Sequence, residues 1–390
     1  MSLFRIVGSL SVASAIGSTI SILLLPLITR LYSVEQFSDY GFAMAVVSVI
    51  SVISVGRMDQ AIISGKENEV GPAATLGLIL LAIVTGLCLT LLPLFINTGM
   101  ALIIALNIAS VGLFQIAYGI EFKADRIKLC SAFTFLRIGL IPMSQIATYQ
   151  LLDNPTLIYS IFIYSILLGS ISFLTVIKNL KKCSRQKIIE LLTYAKGYSL
   201  HGVLNSTSHN IPYFILEMLG AKVILGYYTV IDRLCKAPLL LFSGYIRQYF
   251  LKEFSKTMQV EKGKIASKYS IYLFCTAVVG FVLLLLLPES LFSIALGKGW
   301  VDIAHYLPQL AIAFVFIFMN PPLLAYFVSK GDFYIIVKCQ FIEIFAKGFF
   351  VMGYLFLFQD DYSFIILSMV SSIILYNILL LRKTVTDKGR

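Results

Sequence analysis

Runs of apolar residues, each about the length of a membrane crossing, alternate with short polar connectors along almost the entire chain. They fall at 7–29, 37–56, 73–96, 100–120, 130–150, 156–177, 198–219, 223–246, 269–288, 303–328, 333–358 and 362–381. A helix needs roughly 20 such residues to cross a hydrocarbon core about 30 Å thick, so each run is read as one span. The runs lack the strict alternation of barrel strands, and lipid offers unpaired backbone groups no partner. The pattern therefore predicts an all-α integral membrane protein of about 12 transmembrane helices, with no room for a separate soluble domain.

The connectors supply an orientation. If the spans alternate, one side receives twenty-three lysines and arginines, among them Arg5, Arg57, Lys123, Arg126, Lys178 to Lys196, Arg247 to Lys268, Lys330 and Arg382 to Arg390. The other side receives three, Arg30, Lys222 and Lys298. Basic residues accumulate on the cytoplasmic side, so both termini are expected there. The longest basic connector, KNLKKCSRQKIIELLTYAK, separates two sets of six spans. It predicts an N-terminal lobe at 1–178, a cytoplasmic linker at 179–196, a C-terminal lobe at 197–382 and a tail at 383–390.

Composition narrows the function. The formal charge is +11 and 58% of the 390 residues are hydrophobic, whereas only 13% are charged against about 25% in soluble proteins. Since the charge lies in the connectors, insertion topology and contact with anionic lipid explain it, and no nucleic-acid partner is expected. Cys88, Cys130, Cys183, Cys235, Cys275 and Cys339 show no CxxC spacing, so neither a disulfide framework nor a metal site is predicted. The first apolar run continues past Pro26 without a convincing cleavage site and reads as a retained helix. No P-loop, HExxH or nucleophile elbow occurs. The chain is expected to be no enzyme and to carry no cofactor.

Ionisable residues inside spans cost roughly 2.5–3.5 kcal/mol each at a helix centre on insertion scales, so they mark cavities or partners. Tyr228, Asp232 and Lys236 form one stripe on span eight beside Arg233, with Asp232 about 15 Å from the outer end. Gln340, Glu343 and Lys347 form another on span eleven. Span seven adds His201, Asn205, Ser208 and His209, and span five adds Arg137. On one reading these residues line a water-filled cavity, where Arg137, Arg233, Lys236 and Lys347 attract an anionic head group. Acids or His209 then take part in ion or proton coupling. On the other, Asp232 with Lys236 and Glu343 with Lys347 are i, i+4 pairs that neutralise each other.

The stretch LLPLITRLYSVEQFSDYGF resembles the amino-terminal signature of polysaccharide-unit flippases in the multidrug/oligosaccharidyl-lipid/polysaccharide (MOP) exporter superfamily. Pro26, Thr29, Arg30, Leu31, Tyr32, Glu35, Gln36 and Phe37 match that pattern, while Val34 stands for the usual proline and Ser38 for the usual glycine. GRMDQAI, GYYTVIDRLCKAPL and LGKGWVDIAHYLPQL resemble further stretches of the same family, so the likeness runs from the first helix to the tenth. It implies a two-lobe, MATE-like architecture in a bacterial inner membrane. The implied substrate is an undecaprenyl-diphosphate-linked oligosaccharide, such as an O-antigen or capsule unit, with a polysaccharide polymerase and a chain-length regulator as partners. Arg30, Arg57 and Asp59, lying in the matching motifs, join the candidate site. A drug or cation antiporter of the same superfamily is the alternative, and a membrane glycosyltransferase or polymerase a further one.

Overall fold

Backbone N–H and C=O groups must be satisfied within the segment when the solvent is hydrocarbon, and helices form almost throughout. The computed structural model describes residues 3–64, 67–181, 185–256, 258–357 and 362–386, and no strand occurs among them. Nine stretches of the described residues are long and apolar enough to cross a bilayer: Val12–Leu31, Val34–Ser54, Glu67–Leu94, Thr98–Lys123, Ile127–Leu151, Tyr159–Ile177, Glu261–Leu285, Ile303–Lys330 and Met369–Thr386. The expected spans at 198–219 and 333–358 fall on two further long helices that end at Met218 and, among the described residues, at Leu357, and that at 223–246 falls within a third. The protein is an all-α, multi-pass membrane protein.

Contacts divide the chain into two compact units, Met1–Glu217 and Met218–Arg390. The first contains α1 (Leu3–Leu31), α2 (Val34–Ser54), α3 (Met58–Ser64), α4 (Val70–Leu91), α5 (Thr98–Lys123), α6 (Ile127–Leu151), α7 (Tyr159–Ile177) and α8 (Arg185–Met218). In this unit α5 is the central element, with 67% of its membrane window buried. It packs against α2, α3, α4 and α7, while α6 lies along α1. Small residues bring the backbones together, as is usual where lipid gives no hydrophobic drive to association. A Cβ on Gly112 would meet Leu81 Cδ1 at 2.4 Å, and one on Gly119 would meet the Asp59 carbonyl oxygen at 3.2 Å.

The second unit contains α9 (Lys222–Lys256), α10 (Gln259–Leu285), α11 (Glu289–Leu296), α12 (Ile303–Phe318), α13 (Asn320–Lys330), α14 (Phe333–Leu357) and α15 (Tyr362–Thr386). Its core joins Phe254 of α9, Ala266 of α10, Leu323, Tyr326 and Phe327 of α13 and Leu380 of α15. The span on α10 is the inverse of a soluble amphipathic helix: it is strongly apolar, yet only 6% of its window is buried. Val279, Leu283 and Leu286 point outward, as side chains do when the solvent is lipid. Pro321 and Pro322 open α13, where their missing N–H groups are tolerated, so the expected span at 303–328 is two helices meeting at Met319.

Two helices outgrow the membrane. α8 has 34 residues and α9 has 35, each about 50 Å long at 1.5 Å per residue. The second half of the basic connector, from Arg185 to Lys196, is therefore the first part of α8.

Candidate functional site

The family-like motif at the α1–α2 corner is built for geometry. Ser33 caps α2, its hydroxyl accepting from Gln36 N at 3.4 Å, and Val34 is the first helical residue. Proline is favoured at that position because its absent N–H would be unpaired anyway, which explains the residue the pattern usually places there. The Tyr32 hydroxyl donates to the Gln145 carbonyl oxygen at 2.6 Å and so ties α1 to α6. Thr29, Tyr32 and Phe37 are buried, whereas Arg30 is exposed at the end of α1.

Arg57 and Asp59 stand at the break between α2 and α3. Gly56 and Arg57 both take left-handed φ values, 55° and 56°. Arginine adopts that conformation only at a cost, because its Cβ crowds the carbonyl. The turn points Arg57 back toward Asp59, Nε to Oδ1 3.7 Å, while Gln60 Nε2 donates to Asp59 Oδ2 at 2.9 Å. Gly202 of α8 faces the same guanidinium, the position of its missing Cβ lying 3.8 Å from Nη1.

Arg137 is the eleventh residue of α6, about 15 Å from the helix start and hence near the middle of the span. Its guanidinium carbon is 5.0 Å from the centre of the Phe114 ring, and it reaches Tyr164 as a hydrogen-bond donor, with Tyr40 close to the same phenol. The residue is exposed, and among the described residues no carboxylate pairs with it. A guanidinium at that depth faces water or an anion far more cheaply than hydrocarbon.

On α8, Asn205 and His209 are exposed and Ser208 is buried, while the side chain of His201 lies outside the described residues. The polar seam of this helix uses residues that the sequence reading passed over. Ser206 Oγ donates to the Ser48 carbonyl oxygen at 2.9 Å, and Asn210 Nδ2 donates to Ser48 Oγ at 3.1 Å. Phe214 packs edge-on to Phe42 in the same α2–α8 contact. The i, i+4 spacing of Ser206 and Asn210 was the available signal.

The second unit gathers most of the remaining candidates. Lys236 Nζ lies 2.6 Å from Asp232 Oδ2 on α9, and Lys347 Nζ donates to Glu343 Oε1 at 2.7 Å on α14. Lys236 and Lys347 are near enough to repel one another. Tyr228 interacts electrostatically with Asp232, and Tyr376 of α15 with Glu343. Gln340 is buried one turn before Glu343, and Arg233 is partly exposed beside Asp232. Each carboxylate thus keeps its own ammonium group four residues along one helix, with a phenol within electrostatic reach of each acid. Protonating Glu343 would deprive the buried Lys347 of that counterion, whereas Lys236 is partly exposed to solvent. Tyr376 is the member the sequence reading missed. Among the described residues no group of His, Cys, Asp or Glu is placed to hold a metal ion.

The sequence matches the family model described as polysaccharide biosynthesis protein over residues 27–305. No curated protein matches it. The fold is similar to that of an inward-facing multidrug resistance MATE family transporter of the MOP superfamily, with a TM-score of 0.72 at 15% identity, covering 95% of this chain and 94% of that one. It is also similar to lipid II flippase MurJ in an inward closed conformation, with a TM-score of 0.73 at 14% identity, covering 96% of this chain and 88% of that one. An outward-facing MATE transporter gives a TM-score of 0.62 at 15% identity over 99% of this chain and 96% of its own. The chain therefore belongs to the polysaccharide biosynthesis protein family and carries the fold of the MOP-superfamily transporters.

Proposed function

We propose that this protein is a flippase that moves an undecaprenyl-diphosphate-linked oligosaccharide, such as an O-antigen or capsule repeat unit, across the bacterial inner membrane by alternating access. The observation that carries the reading is a family match to polysaccharide biosynthesis over most of a chain whose whole length folds like known transporters, one of them a lipid II flippase. A diphosphate bearing polar sugars cannot enter hydrocarbon unaided, and a route with fixed cations lowers that barrier. Arg137 fits the need: it is at mid-span, exposed, and held by rings rather than by an acid. Arg30, Arg57, Arg233, Lys236 and Lys347 are the further cationic candidates for the head group.

The charge cluster of the second unit suits coupling better than primary substrate binding. Lys347 is buried and already paired, so it becomes an anion site only when Glu343 gains a proton. Asp232 and Lys236 repeat the arrangement with more exposure, and Asp59, Asn205, His209, Tyr228 and Gln340 complete the proposed polar lining. The reading assigns no reaction to the chain. It places a polysaccharide polymerase and a chain-length regulator downstream.

The test is complementation in a strain lacking its repeat-unit flippase, with surface polysaccharide and protein level both measured. Arg137→Ala is expected to abolish surface polysaccharide at unchanged protein level, with lipid-linked repeat units accumulating on the cytoplasmic face, and Arg137→Lys is expected to retain part of the activity. Failure of the wild-type chain to restore polysaccharide, or full activity of both Arg137→Ala and Lys236→Ala, would overturn the proposal. A drug or cation antiporter is the competing reading. The bases outside the second unit's two ion pairs, led by Arg137, favour an anionic cargo.

A further inference from the structure

An apolar groove of about 630 Å³ runs along α14 of the second unit. Its walls are Phe341, Phe345, Phe349 and Ile342 of α14 and Leu375 of α15, and Lys338 stands in the lining near the start of α14. The rings at 341, 345 and 349 recur every four residues, so they form one stripe along a single helix face. Phe345 and Phe349 are 74% and 76% exposed, too bare to be core. Such rings face lipid, and the lysine gives the stripe one polar end.

We propose that this groove holds one acyl chain of an anionic phospholipid, with the phosphate of that lipid on Lys338. Length is the first argument. From Lys338 to Phe349 the helix rises about 16 Å, close to half of a hydrocarbon core about 30 Å thick, so the groove spans one leaflet and ends near the midplane. Charge is the second. Lys338 lies five residues into α14, at interfacial depth, where a lysine extends its ammonium toward the head groups. Among the described residues that line the groove Lys338 alone is charged, and it stands at one end. The volume, within the range of about 300–1,000 Å³ typical of small-molecule pockets, suits a single acyl chain. The occupied leaflet is the one on the Lys338 side, which the distribution of basic connectors makes the cytoplasmic one. The inference does not depend on the flippase reading, since it concerns a different face of α14 from the one that carries Glu343 and Lys347.

Native mass spectrometry of the delipidated full-length protein, titrated with equimolar phosphatidylglycerol and phosphatidylcholine, tests it. The wild type is expected to retain one phosphatidylglycerol in clear preference to phosphatidylcholine. A surface lysine contributes about 1 kcal/mol toward an anionic lipid, so Lys338→Ala is expected to lower that preference about fivefold and Lys338→Arg to preserve it. Phe345→Ala with Phe349→Ala is expected to weaken retention of both lipids while the preference remains. Equal retention of the two lipids by the wild type, or an unchanged preference in Lys338→Ala, would overturn the proposal. So would displacement of phosphatidylglycerol by equimolar undecaprenyl phosphate, which would make the groove a carrier-lipid site. Each variant's thermal unfolding serves as the check on folding, and Lys338→Ala, on an exposed side chain, is expected to match wild type there.

Discussion

Removing one member of the Glu343–Lys347 pair strands the other inside the second unit. The carboxylate oxygen and the ammonium nitrogen are 2.7 Å apart, and the lysine side chain is 1% exposed against 8% for the glutamate. With an effective dielectric of about 20 the attraction at that distance is about 6 kcal/mol, most of which offsets the loss of hydration. A buried charge left alone then destabilises the fold by about 3–5 kcal/mol, whereas apolar replacement of both partners is close to neutral. Lys347→Met and Glu343→Leu are therefore each expected to lower the unfolding midpoint in detergent by about 6–20 °C, at about 2–4 °C per kcal/mol for a unit of this size. The double variant is expected to return to within about 1 kcal/mol of wild type, so the cycle shows strong coupling. Asp232→Asn supplies the contrast: the partner it leaves, Lys236, has a side chain 37% exposed, and water can take over from Asp232, so the loss is at most about 1 kcal/mol. A Lys347→Met variant that melts within about 2 °C of wild type would refute the reasoning, because the burial or the pairing would then be absent.

Three shorter predictions follow from the first unit. Val34→Pro is expected to stabilise the protein by about 0.4–1 kcal/mol in the same melting assay, since Ser33 already has the extended conformation that a following proline requires (φ −75°, ψ 166°). Gly119→Val is expected to lower the unfolding midpoint and polysaccharide output together, because the Asp59 carbonyl at 3.2 Å from the Cβ position is backbone and must move, and the Arg57 corner moves with it. Tyr32→Phe removes one hydrogen bond to Gln145 and is expected to destabilise by about 1 kcal/mol in thermal unfolding, with no effect on protein level.

The helices were legible in the sequence because lipid removes the usual ambiguity: an apolar run of spanning length has only one economical structure. One detail was not. The basic connector around Arg185–Lys196 reads as a linker by charge, yet helix propensity carries α8 through it, since Lys, Glu, Leu and Gln are all good helix formers. The chemistry was legible where it is intrahelical. The spacing of Asp232 with Lys236, and of Glu343 with Lys347, gave both ion pairs as alternatives to a cavity, and the structure forms both. What crosses between helices was hidden: the contact of Tyr376 with Glu343, and the hold of Ser48 on Ser206 and Asn210, depend on which faces meet. The strained φ of Arg57 was hidden too, because GRMDQ reads equally well as the end of a regular helix.

Placing each counterion four residues along the same helix has a mechanical consequence. An ion pair that bridges two helices breaks when the helices separate, and each half then bears the full cost of a lone charge in a poorly solvated interior. A pair carried by one helix moves as a unit, so α9 and α14 can shift against their neighbours while Asp232 keeps Lys236 and Glu343 keeps Lys347. The event that does unpair them is protonation of the acid, which needs no helix movement at first. On the flippase reading, that makes the second unit responsive to protons and tolerant of motion, while Arg137 is held by the Phe114 ring and Tyr164 rather than by an acid. The separation is open to measurement. Replacing Glu343 with Gln is expected to abolish any dependence of transport on the proton gradient while leaving polysaccharide specificity unchanged, whereas Arg137→Ala removes transport at every pH. Equal pH profiles for wild type and Glu343→Gln would assign the coupling elsewhere.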